Sequence, residues 1–207
     1  MNANVMSINR LRMWTDGNGV TTLVTFYGCP LKCKYCLNEE CHDSSKLSIM
    51  SASELYEEIK IDQLYFLATG GGLTFGGGEP LLNAEFIKEV LQLGADKWHT
   101  TIETSLNVPF DKWECIAEYV DEFIIDIKDM NPIIYKTYSG VTNDFVIKNL
   151  KMLEAKGLAD RTLIRLPLID SYNSQTDIDK SRQQLESMGF SNFNEFKYIF
   201  NNSSLKI

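Results

Sequence analysis

Three cysteines, Cys29, Cys33 and Cys36, fall within the stretch Gly-Cys-Pro-Leu-Lys-Cys-Lys-Tyr-Cys, and the remaining two, Cys41 and Cys115, lie outside it. A zinc site wants four ligands, usually two short pairs. A cubane iron–sulfur cluster normally takes four thiolates. Three thiolates on one short loop can hold three irons of a cubane and leave the fourth open to a substrate or second cofactor. A zinc knuckle completed by a distant Cys41 or His42 is the alternative. A disulfide framework is disfavoured, because the cysteine count is odd and three of them crowd one loop.

A second stretch, Leu73-Thr74-Phe75-Gly76-Gly77-Gly78-Glu79-Pro80, follows a β-rich run. Consecutive glycines let a backbone come close to a ligand. Glu79 at the mouth of that strand is an acceptor suited to an ammonium group. Further on, Glu103-Thr104, Asp126 with Lys128, and Arg165 close three successive strand candidates. Taken singly, each charge reads as ordinary surface. Their recurrence at strand ends points them into a site, since buried charge is costly unless paired or ligand-bound. An ion pair between Asp126 and Lys128 is not expected, because residues two apart on a strand are spaced along it.

Short β-rich runs alternate with helical patterns, as in βα units around a parallel sheet. The strands are predicted at Thr21–Tyr27, Leu73–Phe75, Thr100–Glu103, Glu122–Ile127, Thr162–Leu166 and Glu195–Phe200. Helices are predicted at Ser51–Gln63, Ala84–Leu93, Asp111–Tyr119, Asp144–Lys156 and Thr176–Met188. Ser51 with Glu54 forms a capping box, Asp111 is a candidate cap, and Gly94, Gly157 and Gly189 stand where C′ glycines belong. Six βα units are too few for an eight-fold closed barrel, so the expectation is α/β with an open, partial (βα)6 TIM-like barrel, in one domain over residues 1–207. The cysteine loop follows the first strand and so lies at the C-terminal edge of the sheet, where α/β proteins place their sites. Gly28 and Pro30 bend it so that the three sulfurs can face one point. Lys32 and Lys34 either offset thiolate charge or are simply solvated. Cys115 reads as a mid-helix core thiol, and Cys41 as a small buried hydrophobe, with a loop thiol or redox partner as the alternative.

At 207 residues, with 44% hydrophobic and 23% charged residues, the chain reads as an ordinary soluble globule with ample core. No run is long and apolar enough to span a bilayer, and the polar start is no signal peptide. A cytoplasmic location with reduced thiols is therefore expected. The net charge of −8 argues against a general nucleic-acid binder.

The spacing C-x3-C-x2-C with Tyr35 before the last cysteine resembles the radical S-adenosylmethionine (SAM) superfamily, and Gly77–Pro80 is similar to that family's Gly-Gly-Glu-Pro stretch. The finer resemblance is to glycyl-radical-enzyme activating enzymes of the pyruvate formate-lyase type. It rests on Thr15–Thr22, Tyr35–Asn38, Gly71–Asn83, Ile102–Thr104, Ile125–Asn131 and Ile164-Arg165. The resemblance implies the radical SAM core fold, a [4Fe–4S] cluster on Cys29, Cys33 and Cys36, and SAM on the open iron. It places the amino group of SAM's methionine on Gly77, Gly78, Glu79 and Pro80. Tyr35, Glu103, Thr104 and Asp126 are implied SAM contacts, and a bound monovalent cation is allowed there. Lys128 and Arg165 are implied to contact SAM's carboxylate or ribose or to shape the radical quench, with Lys128 counted among the catalytic residues. This chain departs from the family pattern at Asn18, Thr21, Leu37, Glu103 and Leu106. A further Cys-rich cluster insert and a His-bearing C-terminal segment are not expected.

The implied activity is reductive cleavage of SAM to a 5′-deoxyadenosyl radical under anaerobic conditions, then hydrogen abstraction from a backbone glycine of a glycyl radical enzyme. An electron donor such as flavodoxin is the implied reductant. A radical SAM maturase of a ribosomal peptide, or a small-molecule enzyme like a deazaguanine synthase, is the alternative within that superfamily. A non-catalytic metal-binding module is the alternative outside it.

Overall fold

In the computed structural model, which describes residues 1–13, 16–94 and 97–198, one sheet is built from eight strands. They are β1 (Asn2–Met13), β2 (Val20–Phe26), β3 (Ser48–Ser51), β4 (Gly72–Gly77), β5 (His99–Thr104), β6 (Glu122–Asp126), β7 (Thr162–Leu168) and β8 (Phe193–Lys197). The spatial order is β3-β1-β2-β4-β5-β6-β7-β8. The six strands from β2 to β8 other than β3 run parallel, the open partial barrel expected from six βα units. The sequence β2, Val-Thr-Thr-Leu-Val-Thr-Phe, is dominated by β-branched residues and is buried on both faces, as an inner parallel strand should be.

Two strands were not expected. β1 and β3 add to the free edge of β2 in antiparallel register, Ser7 opposite Thr25 and Ala3 opposite Met50. β1 carries register shifts and alternates polar with apolar residues, which suits an edge ribbon with one wet face.

Seven helices are described: α1 (Ala52–Lys60), α2 (Gln63–Thr69), α3 (Ala84–Gln92), α4 (Phe110–Glu114), α5 (Pro132–Ser139), α6 (Asp144–Ala155) and α7 (Gln175–Ser187). The Ser51–Glu54 capping box forms as expected. The predicted Ser51–Gln63 helix stops early because Asp62 turns inward, accepting from Thr22 Oγ1 at 2.9 Å and pairing with Arg10. Asp111 is not a cap; Pro109 occupies that position, and the helix gives way to a 3-10 turn at Ala117–Tyr119. Cys115 consequently sits half-buried at the end of α4, not mid-helix. The predicted strand Glu195–Phe200 begins earlier, at Phe193; its positions Ile199 and Phe200, and Thr15 of the entry segment, lie outside the described residues.

Between the helices and the sheet, Phe26, Phe75 and Phe86 stack and cross at centroid distances of 6.0 Å, joined by Leu73, Ile102 and Ile125. This core fixes the register that brings the C-terminal ends of the parallel strands to one level, with Phe26 beside Gly77 and Asp126 beside Arg165.

Candidate active site

The C-terminal ends of β2, β4, β5 and β6 surround a cavity of about 110 Å³ that opens to solvent. One wall is the cysteine loop, with Cys29, Cys33, Tyr35 and Cys36; the others carry Gly77, Gly78, Glu103, Thr104, Asp126 and Lys128. Ten residues singled out from sequence thus meet at one place. The loop is anchored at its base where Gly28 N donates to Cys41 O at 2.8 Å. Burial pushes the Cys29 thiol up to about 12 and the Cys33 thiol up to about 11. Buried thiols of this kind stay protonated until a cation displaces the proton. Cys41 is 1% exposed, as a buried small hydrophobe would be, yet its thiol is also hydrogen-bonded to that of Cys36. Among the described residues, no three Cys, His, Asp or Glu side chains gather at the spacing of a single metal ion. Lys32 and Lys34 are both exposed.

The glycines lie where a side chain has no room. At Gly77, with φ of +89°, a Cβ would stand 2.5 Å from Thr25 Cβ; at Gly78 it would stand 2.2 Å from Gly28 O. The bare backbone therefore forms the cavity floor directly under the cysteine loop.

Glu79 and Pro80 sit behind the cavity wall. Both are buried and neither lines the cavity. The Glu79 carboxylate, with no exposed surface, accepts from Thr104 Oγ1 and Ser105 Oγ at 2.6 Å each, Ser105 N at 3.0 Å and Leu81 N at 3.3 Å. Burial raises its pKa against those bonds. Its lone pairs are engaged by these donors, so it ties the loop after β4 to the loop after β5.

Lys128 and Asp126 correct an expectation. β6 ends at Asp126, so the chain is free to turn, and Lys128 Nζ swings back to 3.5 Å from Asp126 Oδ2. Lys128 is buried, which opposes its charge, but Asp126, Tyr198, Cys33 and Tyr138 outweigh that and hold its pKa well above the usual value. Glu103 and Arg165 face each other across the barrel at 2.9 Å, although Arg165 does not line the cavity. The guanidinium thus neutralises the carboxylate through Oε1, with Glu103 itself kept at the cavity wall. Burial, opposed by Arg165 and assisted by Asp126, pushes Glu103 up to about 7. Gly76 makes room for this carboxylate: a Cβ there would lie 3.2 Å from Glu103 Oε2.

Sequence reasoning missed the wall formed by Tyr138 of α5 and by Tyr198, both lining the cavity. Asn131-Pro132 before the helix and Gly140 after it were readable start and stop signals, and Asn131 does cap α5 at Ile133 N.

An open half-barrel with a three-cysteine loop over a glycine floor defines a class of α/β enzyme. The radical SAM superfamily model matches residues 23–179, and the chain belongs to that superfamily. The family's cofactors are a [4Fe–4S] cluster and SAM. The chain is similar to the (2S)-3-sulfopropanediol dehydratase activating enzyme of Klebsiella oxytoca, with 41% identity over 125 residues, 60% of this chain and 39% of that enzyme. It is similar to the pyruvate formate-lyase-activating enzyme of Clostridium pasteurianum, with 36% identity over 126 residues, 60% of this chain and 52% of that enzyme. The chain thus spans about half, or less, of these relatives' length. The crystal structure of Streptococcus suis SuiB bound to S-adenosylmethionine matches with a TM-score of 0.63 at 18% identity, over 88% of this chain and 39% of that one. Native anSMEcpe with bound AdoMet matches at 0.62 and 18%, over 83% and 49%. At such identities the likeness is one of fold.

Proposed function

We propose that the cavity holds a [4Fe–4S] cluster on Cys29, Cys33 and Cys36 with SAM beside it, and that the chain is an activating enzyme for a glycyl radical enzyme. The observation that carries the reading is the convergence of three thiols on a floor of bare glycine backbone, ringed by Glu103, Asp126 and Lys128. The donor set fits the cofactors: soft thiols for iron, a cavity-lining carboxylate on Glu103 for a cationic group, and a buried cation on Lys128 for an anionic one. When bound, cluster and SAM supply one-electron cleavage of SAM and a radical able to abstract hydrogen.

The chain's own residues bind and orient. Gly77 and Gly78 would admit close approach of SAM's methionine end, Thr104 and Tyr35 would help hold it, and Asp126 pairs with Lys128 at the cavity wall. Arg165 acts through Glu103, which it holds in place from outside the cavity. A monovalent cation beside Glu103 and Asp126 belongs to the same proposal. The partner class follows from the relatives, which are activating enzymes by name. A flavodoxin-type donor as reductant and a cytoplasmic setting complete it; no described helix is long and apolar enough to cross a membrane.

The test is anaerobic reconstitution followed by SAM and dithionite. Formation of 5′-deoxyadenosine is expected, lost in Cys33→Ala and kept in Cys115→Ala. Equal activity of both variants would refute the ligand assignment. Adding a candidate glycyl radical enzyme should then yield its glycyl radical signal.

A further inference from the structure

A helix leaves its last carbonyls without partners of its own. In α5 two of these turn to the cysteine loop: Lys34 N donates to Tyr138 O at 3.1 Å and Lys32 N to Ser139 O at 2.8 Å. The Tyr138 hydroxyl then donates to Tyr35 O at 3.2 Å. Its ring has no exposed surface and packs against Tyr35 and Tyr172 at centroid distances of 6.3 and 5.1 Å, while Tyr35 and Tyr172 meet at 5.6 Å. The Tyr198 hydroxyl is hydrogen-bonded to that of Tyr138. Three bonds and two ring contacts therefore grip residues 32 to 35, the stretch that carries Cys33 and leads into Cys36.

We propose that Tyr138 is a positioning residue that holds the loop of Cys29, Cys33 and Cys36 in one ligand-ready shape before any metal arrives. The inference rests on the proposed role of the three cysteines as cluster ligands. Between β2 and the 3-10 turn at Glu39–His42 the loop has no regular structure of its own. Ordering each such residue opposes binding, and a scaffold that has already ordered them raises affinity for whatever they ligate. An apolar residue at this position would supply packing but not the bond to Tyr35 O. That bond fixes the carbonyl immediately before Cys36, and with it the direction in which the Cys36 side chain leaves the backbone. Lys32 and Lys34 make the grip measurable, because both are exposed and each precedes a bond that trypsin cuts.

The experiment is limited tryptic digestion of the metal-free, reduced chain as the parent, Tyr138→Phe and Tyr138→Ala, with cutting after Lys180 on the exposed face of α7 as internal reference. Tyr138→Phe keeps the ring and loses the hydroxyl, so cutting after Lys32 and Lys34 should quicken about fivefold relative to Lys180, the size of one lost hydrogen bond. Tyr138→Ala should quicken it by more than tenfold, because the ring contacts are lost as well. After anaerobic reconstitution, the variants should release iron to a chelator in the same order, and the electron paramagnetic resonance signal of the reduced cluster should broaden in Phe and broaden further in Ala. A Phe variant cut at the parental ratio overturns the proposal, and it decides the matter alone if the Ala variant does not fold. A parent that assembles no cluster would sink the functional reading instead, and the digestion would still report on the loop.

Discussion

Replacing Glu79 with Gln separates two roles for the most deeply buried carboxylate near the site. In the structure Glu79 Oε1 takes Thr104 Oγ1 and Leu81 N, while Oε2 takes Ser105 N and Ser105 Oγ. Gln offers one oxygen, so whichever way it faces, its amide points at a backbone N–H, of Leu81 or of Ser105. The hydroxyls can rotate to accept; the backbone N–H cannot. One charge-assisted bond is lost, worth about 1.5–3 kcal/mol, and a buried donor is left unsatisfied at about 1–3 kcal/mol more. Removing a fully buried negative charge offsets part of this. A net loss of about 3 kcal/mol lowers Tm by roughly 6–12 °C for a chain of this size. The assay is thermal unfolding of the metal-free, reduced protein followed by circular dichroism. A double-mutant cycle with Ser105→Ala should show coupling of about 1 kcal/mol. The reasoning is refuted if Glu79→Gln melts within about 2 °C of the parent while SAM binding to the reconstituted enzyme collapses, because the carboxylate would then be meeting ligand and not the loop after β5.

Three further outcomes follow from the same geometry. Glu103 is pushed up from 4.5 to about 7, so the folded state keeps a proton that the unfolded state has released between those values. Parental stability should therefore fall as pH rises through that window, by up to about 3 kcal/mol; Glu103→Gln should remove this slope, and parallel denaturation curves for the two proteins would contradict it. Gly78→Ala places a Cβ 2.2 Å from Gly28 O, forcing the loop after β4 away from the start of the cysteine loop. Iron and sulfide content after reconstitution should drop severalfold, and a full complement would show that the close approach is dispensable. Asp62→Ala leaves Thr22 Oγ1 and Arg10 without their buried partner, which should destabilise the chain by about 2–4 kcal/mol in urea titration; an unchanged midpoint would remove Asp62 as the reason α1 ends.

The parallel strands were legible because Ile124-Ile125-Asp126-Ile127 and its counterparts are apolar on both faces, and burial on both faces is what a half-barrel imposes. The site was legible as a set of strand ends, since topology alone brings Cys29, Gly78, Glu103 and Asp126 to one edge. What sequence did not show is where each side chain goes once there. Glu79 reads as an open acceptor until the Thr104 and Ser105 donors, brought in by the next strand, take it up. Asp126 and Lys128 read as separated by strand spacing until the strand is seen to end between them. β1 escaped notice because an edge ribbon of alternating polar residues with bulges has a weak period. α5 was missed because Ile-Ile-Tyr resembles a strand; its Asn131-Pro132 and Gly140 punctuation outweighs that resemblance.

The central claim is that three thiolates leave one iron free for SAM. The most direct measurement is electron–nuclear double resonance on the anaerobically reconstituted, reduced protein with SAM labelled in its methionine amino and carboxylate groups. Hyperfine coupling from both labels to the cluster is predicted, abolished by Cys33→Ala. A cluster with no coupling to either label, and with nitrogen, oxygen or sulfur from a fourth side chain on the last iron, would contradict it.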